Sequence, residues 1–561
     1  MILALQGVPL VLVSILAFII IIGLVVVVHE GGHFFFARRA GILCHEFSIG
    51  MGPAIYKKKI GETTFCIRAI PIGGYVSMAG EEITADLIKK NSTVGLNLLD
   101  GKVSEIIVGA FTDSAVKGEV IDFDLYGKDG SPLYITVHDG LTERYLEVLP
   151  DAFYIINEKQ RMQITPYHRS FESKTLWQRF LTLFAGPFMN FLLAIVLYLI
   201  VSFASGVPDY SSTTLGVVSS SMPASSVLQV GDQITKMNGV SVSNWNELSA
   251  ALDNLAEEGK TSVSIEFIRD GITYQEEVSC TTYIASLGLS NIQAEEKSFP
   301  DGIDQGLIVG NLALRYVDEG KKGSYPLSYG DILLKVRIDH FVGKQPQEGE
   351  ITVLKDWGQL VTLFNETDVA NVYFEYYSYQ KQGIVTIEDC IQENAVLQTY
   401  GDEVLTNQRI EKIQIKIGIS PENHFDFFGA IGLAFGNFWD DFTLIFRTLA
   451  LLIAPSGIRQ VGVSDLSSFV GIFSLVETFI GAGFLSLLAF TALLSVNLGV
   501  MNLLPIPALD GGRIVFLGYE LVTRKKPSKK VENIINNIFF ILLLILFVVV
   551  TYNDILRLIR K

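Results

Sequence analysis

Cysteine and charge are both scarce in this sequence. Four of its 561 residues are cysteine, and no two form a CxxC pair, which excludes a zinc–thiolate site and a dense disulfide framework. Cys280 and Cys390 share one region, so a bond between them is chemically permitted, although a lone cysteine is more often a buried free thiol. Charged residues make up 18% and mean hydropathy is +0.38, too apolar for an ordinary soluble chain of this length. No ionisable side chain precedes His29. A secretory signal would show a basic n-region and a shorter apolar core, so the expectation is a retained transmembrane helix. No basic patch points to nucleic acid.

The apolar excess is concentrated in residues 8–28, 180–208, 478–504 and 533–553, each long enough to cross a hydrocarbon core of about 30 Å. The rest has an ordinary charge density, so the chain reads as a multi-pass membrane protein with sizeable domains on its loops. Residues 209–422 hold 31 acidic against 15 basic residues, an imbalance equal to the net charge of −16 of the whole chain. The short loops are basic: Arg38, Arg39, Lys57, Lys58 and Lys59 follow the first span, and "RKKPSKK" (524–530) separates the last two. The positive-inside rule places 37–179 and 510–532 in the cytoplasm and 206–430 outside, with Arg557, Arg560 and Lys561 as a mild exception.

Between the spans the pattern changes period. Residues 47–81 alternate and are punctuated by glycine and proline, which predicts short strands and tight turns dipping into the membrane under shelter of protein. Residues 103–164 carry further strand-like runs. In the acidic region a motif occurs twice: Gly-Asp, a hairpin, then a Trp-led amphipathic helix, at Val230 and again at Tyr329. This tandem resembles a pair of PDZ domains, which bind extended segments at a sheet edge; inert spacer modules are the plainer alternative. The expected order is a first transmembrane helix (1–40), a membrane-associated β-hairpin region (41–82) and a cytosolic β-rich insertion (83–179). A second span (180–208), two PDZ-like α+β domains (209–290 and 291–420) and an amphipathic membrane-surface region (421–470) follow. The chain closes with a third span (471–513), a basic loop (514–532) and a fourth span with tail (533–561).

The chemistry sits where the first apolar run ends. "HEGGH" supplies His29 and His33 at i and i+4, on one helix face, so both imidazoles can grip one ion. Glu30 then stands beside it, placed to take a proton from a zinc-activated water. Ionisable groups at membrane depth point to function; a structural His–Glu pair is the bland alternative. A catalytic zinc site wants a third protein ligand. "NLLPIPALDGG" offers Asp510, just past a helix broken by Pro505 and Pro507. Asn497 and Asn502 in the same segment could hold a substrate backbone, or only make helix-packing hydrogen bonds.

These motifs, with "GPFMN" at 186–190, "SIGMGP" and "IPIGGYVSMAGE", resemble those of the site-2 protease family of intramembrane zinc metalloproteases, in its bacterial PDZ-bearing branch. The resemblance spans nearly the whole chain and is weakest at about 83–165. It implies Zn2+ held by His29, His33 and Asp510, Glu30 as general base and Asn502 positioning substrate. It also implies single-span membrane proteins or remnant signal peptides as substrates, anti-sigma factors among them, with an upstream site-1-type protease as a partner, in a bacterial cytoplasmic membrane. Two other classes stay open. A PDZ-bearing scaffold with a relict metal site should have lost a ligand or Glu30, and none is lost. A metal channel should show several buried acidic groups, and one cluster exists.

Overall fold

The structure is a computed structural model. It describes residues 8–80, 87–108, 114–128, 130–157, 160–220, 222–258, 260–285, 287–291, 299–312, 327–328, 330–342, 345–365, 369–392, 413–453 and 468–560. Tyr329, the last part of the amphipathic region (454–467) and Lys561 lie outside these. The chain divides into two compact units, Met1–Tyr198 with Phe473–Phe547, and Leu199–Ile472 with Val548–Lys561.

Among the described residues, four helices are long and apolar enough to cross a membrane: Val11–Arg39, Leu176–Ser205, Phe484–Leu503 and Lys530–Ile555. They match the four apolar runs in the sequence, with one adjustment. The third begins at Phe484, because Gly483, at φ 108°, separates it from the shorter apolar helix Phe469–Ala482. The first two are called α1 (Val8–Arg39) and α2 (Leu176–Ser205).

After α1 come two long strands, β1 (Cys44–Ile60) and β2 (Thr63–Met78), in place of the short strands and turns expected. Both bend sharply. In β1, Glu46–Ile49 pairs with Gly74–Ser77 on one side and with Thr64–Ile67 on the other, while 54–60 pairs with 63–68. Two strands thereby make four adjacent rows, with 70–78 as an outer row. The bends fall at Gly50, Gly52 and Gly73, with φ of 83°, 85° and 72°, a region that glycine enters without steric cost. A polar knot fastens the rows: Arg68 donates to Glu46 at 2.5 Å, to Tyr75 at 2.6 Å and to Ser48 at 2.7 Å, and Tyr75 donates to Glu46 at 2.7 Å.

The insertion that follows is a small closed barrel. Its strands are β3 (Thr93–Leu99), β4 (Lys102–Ile107), β5 (Val116–Asp124), β6 (Tyr134–His138), β7 (Glu143–Asn157) and β8 (Gln160–Gln163). They run in the order β4-β3-β5-β6-β7-β8, and a parallel β4–β7 pairing closes the ring. Alternate residues turn inward, and Val94, Leu96, Val103, Ile106, Val120, Ile135 and Val137 are fully buried, as alternation in a closed sheet requires.

In the second unit the repeat is visible bond by bond. Asp232 accepts from the Gln229 amide at 2.7 Å and Asp331 from the Ser328 amide at 2.8 Å; the Gly231 and Gly330 amides donate to Leu215 and Val309, both at 2.8 Å. Each Gly-Asp turn leads to a Trp-led helix, Trp245–Glu257 or Trp357–Asn365. The two cores interleave. The strand Ile413–Lys416 pairs with Thr281–Ile284, and Ile419–Pro421 pairs with Leu215–Val218. Ile417, 1% exposed, lies in the first core with Leu215, Trp245 and Phe267, while Leu287, Leu289 and Ile413 join the second. At the base, Val207–Pro208 pairs with Asn423–His424, so both ends of the acidic region leave side by side. Cys280 and Cys390 are buried in different cores, the first and the second, and no disulfide joins them, so the bond that chemistry allowed is not made. Residues 427–453 form one continuous helix, Phe427–Ile453.

Candidate active site

Three side chains converge inside the first unit. His29 Nε2 lies 3.2 Å from His33 Nε2. Asp510 Oδ2 lies 3.3 Å from His29 Nε2 and 3.2 Å from His33 Nε2. Both histidines are buried. The helical spacing puts the two imidazoles on one face of α1, as the sequence predicts, and the carboxylate arrives from more than 470 residues away in sequence.

Asp510 gets there because its segment turns sharply. The third span ends at Leu503, and a new helix, Asp510–Thr523, opens on Asp510 itself. The sequence suggested a broken helix end; the structure adds that the "LDGG" run is a helix start. Gly511 and Gly512 allow this: a β-carbon on Gly512 would stand 2.7 Å from Pro507 Cα, and one on Gly511 would run into the Leu504 carbonyl. Ala508, in left-handed backbone at φ 76°, donates its amide to Asn536 Oδ1 at 3.2 Å. The far end of the same helix is tied to α2, where Arg179 donates twice to Glu520, at 2.9 and 2.7 Å.

The second span closes over the ligands. Gly186 packs so tightly on them that a β-carbon would overlap the His33 ring and sit 2.9 Å from His29 Cε1. Gly32 of α1 meets Ala185 and Met189 in the same way, whereas Gly31 has nothing within 4 Å. His33 Nδ1 donates to the Thr182 carbonyl at 2.8 Å, which leaves Nε2 as the free acceptor facing the cluster. Asn190, fully buried, contacts His29 Nδ1 at 3.3 Å through its amide. Asn190 closes the GPFMN motif, but the sequence assigned it no role; Thr182 was not singled out, and since it acts through its backbone carbonyl its side chain carries no signal.

Glu30 lies within electrostatic reach of His29, His33 and Asp510 and faces the Val76 amide of β2. The outer row of the hairpin runs past it: a β-carbon on Gly74 would stand 3.1 Å from Glu30 Cγ and 2.8 Å from Val26 Cγ1. Among the described residues no strand pairs with the far edge of that row. Asn502, on the third span, reaches to 3.4 Å from His29 Nε2, on the side where the ligand atoms converge. No contact to the cluster is seen for Asn497. In the knot behind Gly74, burial and the bond to Glu46 push the Tyr75 hydroxyl up to about 12. Burial opposes ionisation of Glu46, but the bonds from Tyr75 and Arg68 outweigh it and hold its carboxyl below the usual range.

Two nitrogens and one oxygen form a donor set suited to zinc with an open fourth position. The cluster also shows a deficit that a cation would fill. Asp510 Oδ2 is buried with no hydrogen-bond donor, a costly state for a carboxylate oxygen. The residues present therefore fit the metal.

The profile of Peptidase family M50 matches residues 17–546. A Staphylococcus aureus (strain N315) chain that carries the name of a zinc metalloprotease, SA1105, is 30% identical over 554 residues, covering 97% of this chain and 99% of that one. The chain is similarly related to proteins named zinc metalloprotease RasP. That of Shouchella clausii (strain KSM-K16) is 29% identical over 553 residues and that of Bacillus licheniformis 29% over 554, each with the same coverage.

Proposed function

The chain belongs to Peptidase family M50, the site-2 proteases, and from that membership we propose that it hydrolyses peptide bonds in or near the transmembrane segments of membrane proteins. It is a zinc metalloprotease with several helices long and apolar enough to cross a membrane. The observation that carries the intramembrane reading is that Asp510 meets His29 and His33, which stand on an otherwise apolar helix with Glu30 beside them.

In this reading His29, His33 and Asp510 would hold the zinc, which when bound would supply Lewis acidity for activating a water molecule and the scissile carbonyl. Glu30 takes the proton of the attacking water and delivers it to the leaving amine. Asn502 donates to the substrate carbonyl or backbone. A helical substrate shields its carbonyls, so it must unwind; the open edge of row 70–78, running past Glu30, offers backbone groups to the unwound strand. The hairpin, with Met51, Ile55, Tyr56 and Ile70 exposed, enters the membrane beside the substrate. The basic loops put the active site toward the cytoplasm and the acidic repeat outside. There the PDZ-like pair selects or gates substrates, single-span proteins or remnant signal peptides, after trimming by an upstream protease.

Glu30→Gln tests the assignment. The amide keeps the shape but cannot accept the proton, so cleavage of a model transmembrane substrate should vanish while zinc content stays at one per chain. Near-normal turnover would sink the general-base role. In parallel, His29→Ala should lose the metal.

A further inference from the structure

We propose that Asn190 is the positioning residue that fixes His29 in its metal-binding form, by turning its carbonyl oxygen to His29 Nδ1. The inference rests on the zinc-ligand reading above. It begins from a difference between the two histidines. Both point Nε2 at the cluster, so each must carry its proton on Nδ1 to offer a lone pair there. His33 has an acceptor for that proton, the Thr182 carbonyl at 2.8 Å. His29 Nδ1 faces Asn190 Nδ2 at 3.3 Å, which is a donor. That orientation suits only the opposite tautomer, protonated on Nε2, which cannot bind a metal through Nε2.

Asn190 resolves the conflict by rotating its amide about half a turn. Its Oδ1 is buried without a partner, and the side chain is fully enclosed, so the oxygen gains a bond by facing Nδ1–H. Oxygen and nitrogen of an amide are nearly the same shape, so the exchange needs no repacking. The backbone at this point is anchored independently, since Ser495 of the third span donates to the Asn190 carbonyl at 2.8 Å. Asn502 cannot serve the same end: it approaches the other nitrogen, Nε2, at 3.4 Å. The two amides therefore divide the ring, Asn190 on the side away from the metal and Asn502 on the metal side. Partners of this kind on ligating histidines set the tautomer and strengthen the ligand, and their loss typically costs 10–100-fold in metal affinity.

The test is zinc affinity, measured on the full-length protein in detergent by competition with a chromogenic chelator. Asn190→Leu preserves volume and removes the acceptor; it should weaken zinc binding about 10–100-fold. Asn190→Asp keeps an acceptor oxygen toward Nδ1 and should bind zinc as tightly as wild type or more so. A Leu variant with wild-type affinity overturns the proposal. So does an Asp variant that loses zinc as the Leu variant does, since a packing role alone would not distinguish them in this order. If Asn190→Leu does not fold, the Asp variant decides alone: affinity at or above wild type supports the role, and weaker affinity overturns it. Failure of the zinc-ligand reading looks different, because His29→Ala would then leave zinc affinity unchanged.

Discussion

Gly186 of the second span lies directly against the His33 ring, with no room between them for a methyl group. The same is true of Gly32 against Ala185, but not of Gly31, whose outer side is open. The two glycines of "HEGGH" thus do different things. Gly186→Ala and Gly32→Ala should each force α1 and α2 apart and lower zinc retention, while Gly31→Ala should retain zinc and stabilise the helix by about 1 kcal/mol. Metal content and thermal unfolding of the three variants provide the comparison; equal behaviour would mean that helix approach does not shape the site.

The Arg179–Glu520 pair is largely buried, with side chains 8% and 13% exposed, and spans two segments that carry the site. Removing one partner leaves a buried charge uncompensated, so Arg179→Ala should destabilise the protein by about 3–5 kcal/mol. The double replacement Arg179→Met with Glu520→Leu should recover much of that loss, since an apolar pair needs no compensation. Thermal midpoints of the single and double variants decide it; a double variant no better than the single would indicate that the pair is needed for geometry.

The polar knot of the hairpin carries a pH dependence. Glu46 is held below the usual carboxylate range by Tyr75 and Arg68 once burial is outweighed. A carboxyl depressed in the folded state stabilises above its unfolded value, about 4.3, and that stability drains away as pH falls through the folded value. Amide exchange in 44–78 should therefore be flat from pH 7 to 5, after correction for the intrinsic rate, and rise in more acidic solution. In Glu46→Gln the acid step should be absent. An acid step of equal size in both would assign it to another group.

Because both ends of the acidic region emerge together at the Val207–Pro208 and Asn423–His424 pairing, residues 210–418 can be replaced by a short flexible linker without moving the ligands. Zinc content should persist. If the PDZ-like pair screens by size or tail, the deletion should raise cleavage of a full-length substrate relative to its pre-trimmed form. An unchanged ratio would leave the pair as spacers, and loss of all cleavage would make it a delivery or support element.

What the sequence disclosed about the site was chemical type at fixed local spacing. His29 and His33 are four apart on a helix, and Asp510 follows a proline break; both facts are local. The four apolar runs were equally readable, since a bilayer imposes length and composition. What escaped notice depends on pairing across long separations. Alternation in 103–164 signals strands, yet nothing in it specifies that β4 meets β7 in parallel and closes a barrel. The long hairpin strands looked like short ones because Gly50, Gly52 and Gly73 mark bends as well as they mark turns. Asn190 stood in a motif but without a role, because its contact is with a ring more than 150 positions earlier.

The interleaving of the two cores sets an order on biosynthesis. The first core encloses Val278 and Cys280 but also Ile417, roughly 140 residues later in the chain. At a synthesis rate of about 5–20 residues per second, the ribosome needs roughly 7–28 s to deliver that last residue. Once Cys390 has been made, the second core lacks only Ile413 among its described residues, while the first still stands open along Leu215–Val218. The usual rule that the earlier domain finishes first is therefore reversed or tied here. Both modules mature together, when a single short stretch, 413–421, leaves the ribosome and closes them in one event.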